Sequence, residues 1–190
     1  MAERGVNIRP GYILDHNNDL YMVVKTTHTQ PGKGGAYIQA EMKNLKTGSK
    51  HYERFRSDEE IRRVILEEQD FSYIFSDNEV VTLMNPKTYE QISINSDKLG
   101  EKKVYLQDGM NIKITSYNDN ILFASVPDYV TLEVVEADAV IKGQTASASY
   151  KPAVLNNGMK IMVPPFIKSG DKIVVYTPDD TYYERSKESE

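Results

Sequence analysis

The sequence predicts an all-β protein assembled from three small β-barrels. Three observations lead there. Short runs rich in β-branched and aromatic residues recur along the whole chain, separated by turn-forming clusters. Helical candidates are few. A single barrel across 190 residues would need long loops, whereas barrels of about sixty residues fit the turn density and ordinary domain sizes. The expected divisions are 1–64, 65–128 and 129–190. No internal repeat is evident, so any likeness among the barrels is expected in structure rather than in sequence.

In the first segment the strand-like runs are 20–27 and 36–44, with Asp15-His16-Asn17-Asn18-Asp19 and Lys46-Thr47-Gly48 as turns. Residues 58–68 carry charges and aliphatics near helical spacing, yet Val64-Ile65-Leu66 reads equally as the start of a strand. Strands are expected over 79–84 and 111–115, with Ser76-Asp77-Asn78 and Asn118-Asp119-Asn120 as turns. Between them, 96–106 reads as a short helix with Ser96 as its N-cap. The third segment offers strands over 129–135, 159–163 and 172–176. There Asn157-Gly158 makes a hairpin turn, and Pro164-Pro165 ends the pairing of the strand that follows it.

Composition narrows the function classes. A hydrophobic fraction of 39% and a charged fraction of 27% suit a soluble globular protein. No apolar run approaches the ~20 residues that span a bilayer. The first residues, Met1-Ala2-Glu3-Arg4-Gly5, lack the apolar core of a signal peptide. Without cysteine there is no disulfide framework and no thiolate ligand or nucleophile, and a cytoplasmic location is expected. The net charge of −5 argues against a simple basic nucleic-acid binder. Its distribution is uneven: 1–64 carries 11 Lys+Arg against 8 Asp+Glu, 65–128 carries 5 against 11, and 129–190 carries 7 against 9. The basic excess would orient the first segment toward a polyanion, unless it is chance scatter of surface charge.

That segment also holds Pro31-Gly32-Lys33-Gly34-Gly35, the tip of the hairpin between its two longest strand-like runs. Proline fixes one φ and glycines leave the lysine without packed neighbours. A phosphate-binding loop would need Gly-x-x-x-x-Gly-Lys-Ser/Thr running into a helix, whereas here glycine follows the lysine and a strand follows the loop. Taken alone, the loop reads as a glycine-rich hairpin with a solvated lysine. No catalytic constellation is evident. His16, His28 and His51 have no metal-ligand spacing such as His-x-x-x-His, and His28 reads as a polar loop residue. Glu59-Glu60, Glu67-Glu68 and Asp179-Asp180 read as solvated surface. The 13 tyrosines read first as strand residues, with Tyr182 and Tyr183 as exceptions that could stack on bases.

Two distant motifs in the right order give a resemblance. Asn7-Ile8-Arg9-Pro10-Gly11 and Pro31-Gly32-Lys33-Gly34-Gly35-Ala36 resemble the entry and modified-lysine loop of the bacterial elongation factor P family. Lys151-x-Ala153, Gly158, Ile161-x-Val163-Pro164, Ile167, Gly170 and Tyr182-Tyr183-Glu184-Arg185 resemble its C-terminal signature. The resemblance covers essentially the full chain.

It implies an SH3-like translation-protein barrel followed by two OB-like barrels, in an L shape similar to tRNA. It implies a non-enzymatic, monomeric factor bound to the 70S ribosome between the peptidyl and exit sites. There it would touch ribosomal RNA and peptidyl-tRNA and relieve stalling at consecutive prolines. Lys33 would carry a β-lysyl-type modification added by a lysine-modifying enzyme, with no dissociable cofactor, metal or membrane partner. Gly143-Gln144-Thr145-Ala146 would lie at the exit-site codon of the mRNA, although Gln144 stands where many members have Asp. Candidate RNA contacts chosen by charge and location are Arg9, Lys25, Lys43, Arg54 and Arg56, with Lys151, Tyr182 and Arg185 in the third segment. The competing readings are a general OB-type binder of single-stranded nucleic acid and a divergent paralogue of the family. An enzyme using Lys33 as a Schiff-base or nucleophilic lysine would need a buried amine, which an exposed loop does not supply.

Overall fold

A computed structural model describes residues 1–32, 34–138 and 149–187. Lys33 and the Gly143-Gln144-Thr145-Ala146 loop lie outside the described residues. The described chain is built of strands in three sheets.

The first sheet contains β1 (Ala2–Arg4), β2 (Ile13–His16), β3 (Asp19–Thr29), β4 (Tyr37–Asn44), β5 (Lys50–Arg56) and β6 (Glu60–Val64), in the order β1-β6-β2-β3-β4-β5. Its alternation is clearest in β4, where Ile38, Ala40 and Met42 are buried and Gln39 and Lys43 face solvent. The buried set packs with Ile8, Leu14, Val23, Phe55 and Ile61 into one core. Burying each large aliphatic or aromatic side chain there contributes about 1.5–3 kcal/mol. Asn17 and Asn18, with φ of 53° and 65°, make the tight β2–β3 turn. β3 outruns the expected strand because pairing resumes after a bulge between Val23 and Lys25 and continues to Thr29 opposite Tyr37. His28 therefore sits on a strand opposite Ile38, not in the loop. No helix forms over 58–68: β6 pairs with both β1 and β2, and these long-range ladders override the local helical spacing. Val64 ends β6 and Ile65-Leu66 is the gap before the next strand starts at Glu67, so no strand begins at Val64-Ile65-Leu66.

The second sheet contains β7 (Glu67–Ser76), β8 (Val80–Met84), β9 (Gln91–Asn95), β10 (Asn111–Tyr117) and β11 (Asn120–Ser125), in the order β11-β10-β7-β8-β9. The short helix expected over 96–106 is instead two 3₁₀ turns, Ser96–Lys98 and Gly100–Tyr105. Gly100 has φ of +58°, which interrupts a continuous helix. The cap is Asn95, whose side chain accepts the Asp97 N–H at 2.8 Å. Ser96 is buried and donates instead to the Asn78 carbonyl at 3.2 Å.

The third sheet contains β12 (Tyr129–Ala137), β13 (Lys151–Leu155), β14 (Lys160–Val163), β15 (Lys172–Tyr176) and β16 (Thr181–Arg185), in the order β14-β13-β12-β15-β16. β14 stops at Val163, directly before Pro164-Pro165.

The chain divides into two compact units, Met1–Glu68 with Thr115–Leu122, and Gln69–Ile114 with Phe123–Glu190. Within the second, the Gly100–Tyr105 turn is tied to the third sheet. Asp180 Oδ1 accepts hydrogen bonds from Lys102 Nζ and Tyr105 Oη, both at 2.7 Å, and Gln107 donates to the Thr131 carbonyl at 3.0 Å. Asp180 is thus a half-buried anchor rather than plain surface. Burial and the Asp180 charge push the Tyr105 phenol well above the ordinary phenol range. No helix among the described residues is long and apolar enough to cross a membrane.

Candidate functional site

The β3–β4 hairpin ends in a loop over residues 30–36, beyond the Thr29–Tyr37 pair. Pro31, Gly32, Gly34 and Gly35 are all exposed. The Ala36 carbonyl accepts the Ser57 N–H at 2.9 Å, which fixes the returning limb. The glycines differ in what they do. Gly34 has φ of +129°, a conformation closed to most side chains. A Cβ added at Gly32 or Gly35 would meet nothing within 4 Å. Those two glycines answer no local packing demand, and their effect is to keep the stem around position 33 thin.

Behind the tip, strand alternation, reset for Lys25 by the bulge after Val23, gathers four of the sequence-predicted RNA contacts on the outer face of β3, β4 and β5. Lys25 pairs with Glu41, Arg54 with Gln39, Arg56 with Tyr37, and Lys43 with Lys50. Lys50 belongs to the same face, although charge and location alone do not single it out. The acids there are weakly engaged: Lys50 Nζ to Glu41 Oε1 is 3.3 Å and Arg56 Nε to Asp58 Oδ1 is 3.4 Å, with both cations largely exposed. Exposed pairs of this kind contribute about 0–1 kcal/mol and can be exchanged for phosphate. The Arg54 guanidinium lies 4.2 Å from the Tyr37 ring centre, which holds its planar group outward.

The remaining candidates are not on that face. Arg9 donates to the Val6 and Ile8 carbonyls at 3.0 and 2.9 Å. Lys151 Nζ donates to the Asp138 carbonyl, and Arg185 pairs with Asp171 at 2.8 Å. Tyr182 is half-buried and meets Tyr150 edge-on at 6.3 Å between ring centres; burial and the neighbouring Tyr150 and Glu184 raise its phenol.

A second aromatic group is not announced by the sequence pattern. The Tyr129 ring lies tilted against Tyr176 at 5.3 Å and against Tyr183 at 4.8 Å between ring centres on the third sheet, with Tyr129 and Tyr183 about half exposed. Tyr129 and Tyr176 are register partners, the first residue of β12 and the last of β15. That pairing becomes visible only once both strands are aligned.

Models of known families match the chain in three successive segments: the elongation factor P KOW-like domain over residues 5–61, its OB domain over 66–124, and its C-terminal domain over 130–185. Elongation factor P of Wolbachia sp. subsp. Drosophila simulans (strain wRi) is 66% identical, covering 99% of this chain and 100% of the relative. The chain belongs to the elongation factor P family. As a member it is a translation elongation factor. Elongation factor P of Ehrlichia ruminantium (strain Gardel) is also 66% identical, over 99% of this chain and 100% of the relative. Among solved structures, eukaryotic translation initiation factor 5A from Methanococcus jannaschii matches with a TM-score of 0.54 at 14% identity, over 67% of this chain and 92% of that one. That likeness is one of fold, and it agrees with the small-barrel architecture the sequence predicts.

Proposed function

We propose that this elongation factor binds the ribosome between the peptidyl and exit sites and promotes peptide-bond formation at consecutive prolines by stabilising peptidyl-tRNA. The observation that carries the reading is the thin glycine stem at the hairpin tip, in a member of this family. In this reading Lys33 reaches toward the peptidyl-transferase centre, and its amine threads among RNA phosphates. A nascent Pro-Pro end is rigid and poorly posed for attack. Holding the peptidyl-tRNA in a productive pose contributes several kcal/mol, up to about 7–11 kcal/mol in ideal intramolecular cases. The factor donates no catalytic group and acts as a cytoplasmic monomer.

A β-lysyl-type group on Lys33, added by a modifying enzyme, would extend the amine's reach. The face bearing Lys25, Lys43, Arg54 and Arg56 would take ribosomal RNA phosphates, and Gly143-Gln144-Thr145-Ala146 would approach mRNA at the exit site. The three matched family segments support folding units of 1–64, 65–128 and 129–190. In cells lacking their own factor, Lys33→Ala is expected to fold yet fail to restore a polyproline reporter; full restoration would overturn the reading. Intact mass of the protein from its native host tests the modification separately.

The exposed Tyr129–Tyr183 pair favours one further reading, binding of free single-stranded nucleic acid by an OB-type surface. It predicts salt-sensitive oligonucleotide binding that Tyr129→Ala weakens. Its absence alongside ribosome binding would remove that reading.

A further inference from the structure

Away from the hairpin tip, three side chains of the first sheet converge on one point. His16 closes β2, while His51 and Glu53 stand two residues apart on β5. Strand alternation turns both toward the face on which Phe55 is buried. Glu53 Oε2 lies 3.2 Å from His16 Nε2 and 3.3 Å from His51 Nε2. All three ligating atoms fall within 4.8 Å of one another. Ligand bonds of about 2.0–2.2 Å around tetrahedral Zn²⁺ imply ligand–ligand separations of about 3.3–3.6 Å. Two of the three separations are therefore close to coordination length already.

We propose that His16, His51 and Glu53 form a binding site for a late first-row divalent cation, with Zn²⁺ the best match. The donor set decides the class. Two imidazoles and one carboxylate suit Zn²⁺ and its neighbours, whereas Ca²⁺ and Mg²⁺ take oxygen ligands. The surroundings hold the donors in place. Glu53 Oε1 accepts the Arg54 N–H at 3.1 Å, which leaves Oε2 as the presented ligand. The His16 ring packs edge-on against Phe55 at 5.4 Å, and the His51 ring lies 5.2 Å from Tyr21. Ala40 and Met42, opposite Glu53 and His51 on β4, are fully buried and bring no competing charge.

Side-chain exposures of 23%, 38% and 33% for His16, His51 and Glu53 leave a solvent side for a fourth, water ligand. On coordination each neutral imidazole gives its Nε2 to the metal and carries its proton on Nδ1. β2 and β5 are separated by β3 and β4 in the sheet, so the cation would bridge strands that the ladder does not join. Without metal, the same atoms form a hydrogen-bonded trio, with His16 and His51 sharing one carboxylate oxygen.

The test uses the untagged full-length protein, freed of metal and titrated with ZnCl₂ by calorimetry. Co²⁺ is the spectroscopic probe, and histidine ring-nitrogen NMR reports which imidazoles respond. One equivalent of Zn²⁺ is expected to bind and to raise Tm. Co²⁺ should give the intense visible bands of a four-coordinate site. The ring signals of His16 and His51 should shift on Zn²⁺ addition, while exposed His28 does not. His51→Gln should lower affinity at least about tenfold and remove the Co²⁺ bands, and His28→Gln should leave both unchanged. The proposal is overturned by absence of saturable binding, by unchanged affinity in His51→Gln, or by Zn²⁺ shifts confined to His28. The NMR and calorimetry on the unaltered chain decide the matter even if a variant fails to fold.

Discussion

Gly5 is buried where the first 3₁₀ turn meets the end of β5, and a Cβ there would stand 2.1 Å from the Arg56 carbonyl oxygen. That obstacle is backbone, so no side-chain rotation relieves it. Gly5→Ala is expected to cost about 1–3 kcal/mol, read as a lower chemical-denaturation midpoint. Nothing adjacent to Gly5 in the sequence announces this, because the approaching carbonyl belongs to a strand far along the chain. Asp180 makes a second residue-scale case. Burial alone would raise its carboxyl, but hydrogen bonds from Lys102 and Tyr105 and the Lys102 charge outweigh burial and hold it below its ordinary value of 3.8. A depressed folded-state value stabilises the fold above that pH, and the contribution fades as pH falls below it. Acid unfolding followed by circular dichroism should begin at higher pH without Asp180, and Asp180→Asn should flatten the curve below pH 3.8. The sequence reads Asp180 as surface because its partners, Lys102 and Tyr105, belong to a different sheet's connecting turn.

At the scale of elements, the strands and turns are legible because alternation and Asn/Asp/Gly chemistry act within a few residues. β15 falls on 172–176 as expected, and β14 ends at the proline pair. The helix expected over 96–106 breaks into two 3₁₀ turns at Gly100, whose φ is +58°, and Asn95 caps the first of them because the buried Ser96 side chain bonds to the Asn78 carbonyl. The hairpin loop separates fold from function within one element. Gly32→Ala and Gly35→Ala meet no neighbour and should leave Tm unchanged. Under the proposed role they should still slow polyproline synthesis, by thickening the stem. Equal activity in both variants would show that thinness there is incidental. Gly34→Ala should disturb the loop itself, since its φ of +129° is strained for any side chain.

For the whole molecule, net charge conceals what arrangement shows. A chain of net charge −5 nevertheless carries a local basic face, because alternation along β4 and β5 sends Lys43, Lys50, Arg54 and Arg56 to one side and the bulge between Val23 and Lys25 turns Lys25 the same way. If that face meets RNA phosphates, Lys43→Glu and Arg54→Glu should weaken ribosome binding. Each should also reduce the slope of log affinity against log salt by about 0.7–0.9 for every phosphate left unneutralised. Of the candidate RNA-binding residues, Lys25 joins the face only through the bulge after Val23, whereas Lys43, Arg54 and Arg56 can be grouped from the sequence pattern. The internal partners of Arg9, Lys151 and Arg185 cannot, because they depend on the folded chain.

The family itself is legible from two motifs far apart in the chain, which local physics does not link. The most direct test is the rate of Pro-Pro-Pro synthesis on purified ribosomes with the native factor, with Lys33→Ala, and with neither. The native factor should raise the rate at least about tenfold, a barrier reduction of ~1.4 kcal/mol or more, and Lys33→Ala should leave it at the factor-free level. Equal acceleration by Lys33→Ala would contradict the assignment of Lys33 as the working end of the molecule.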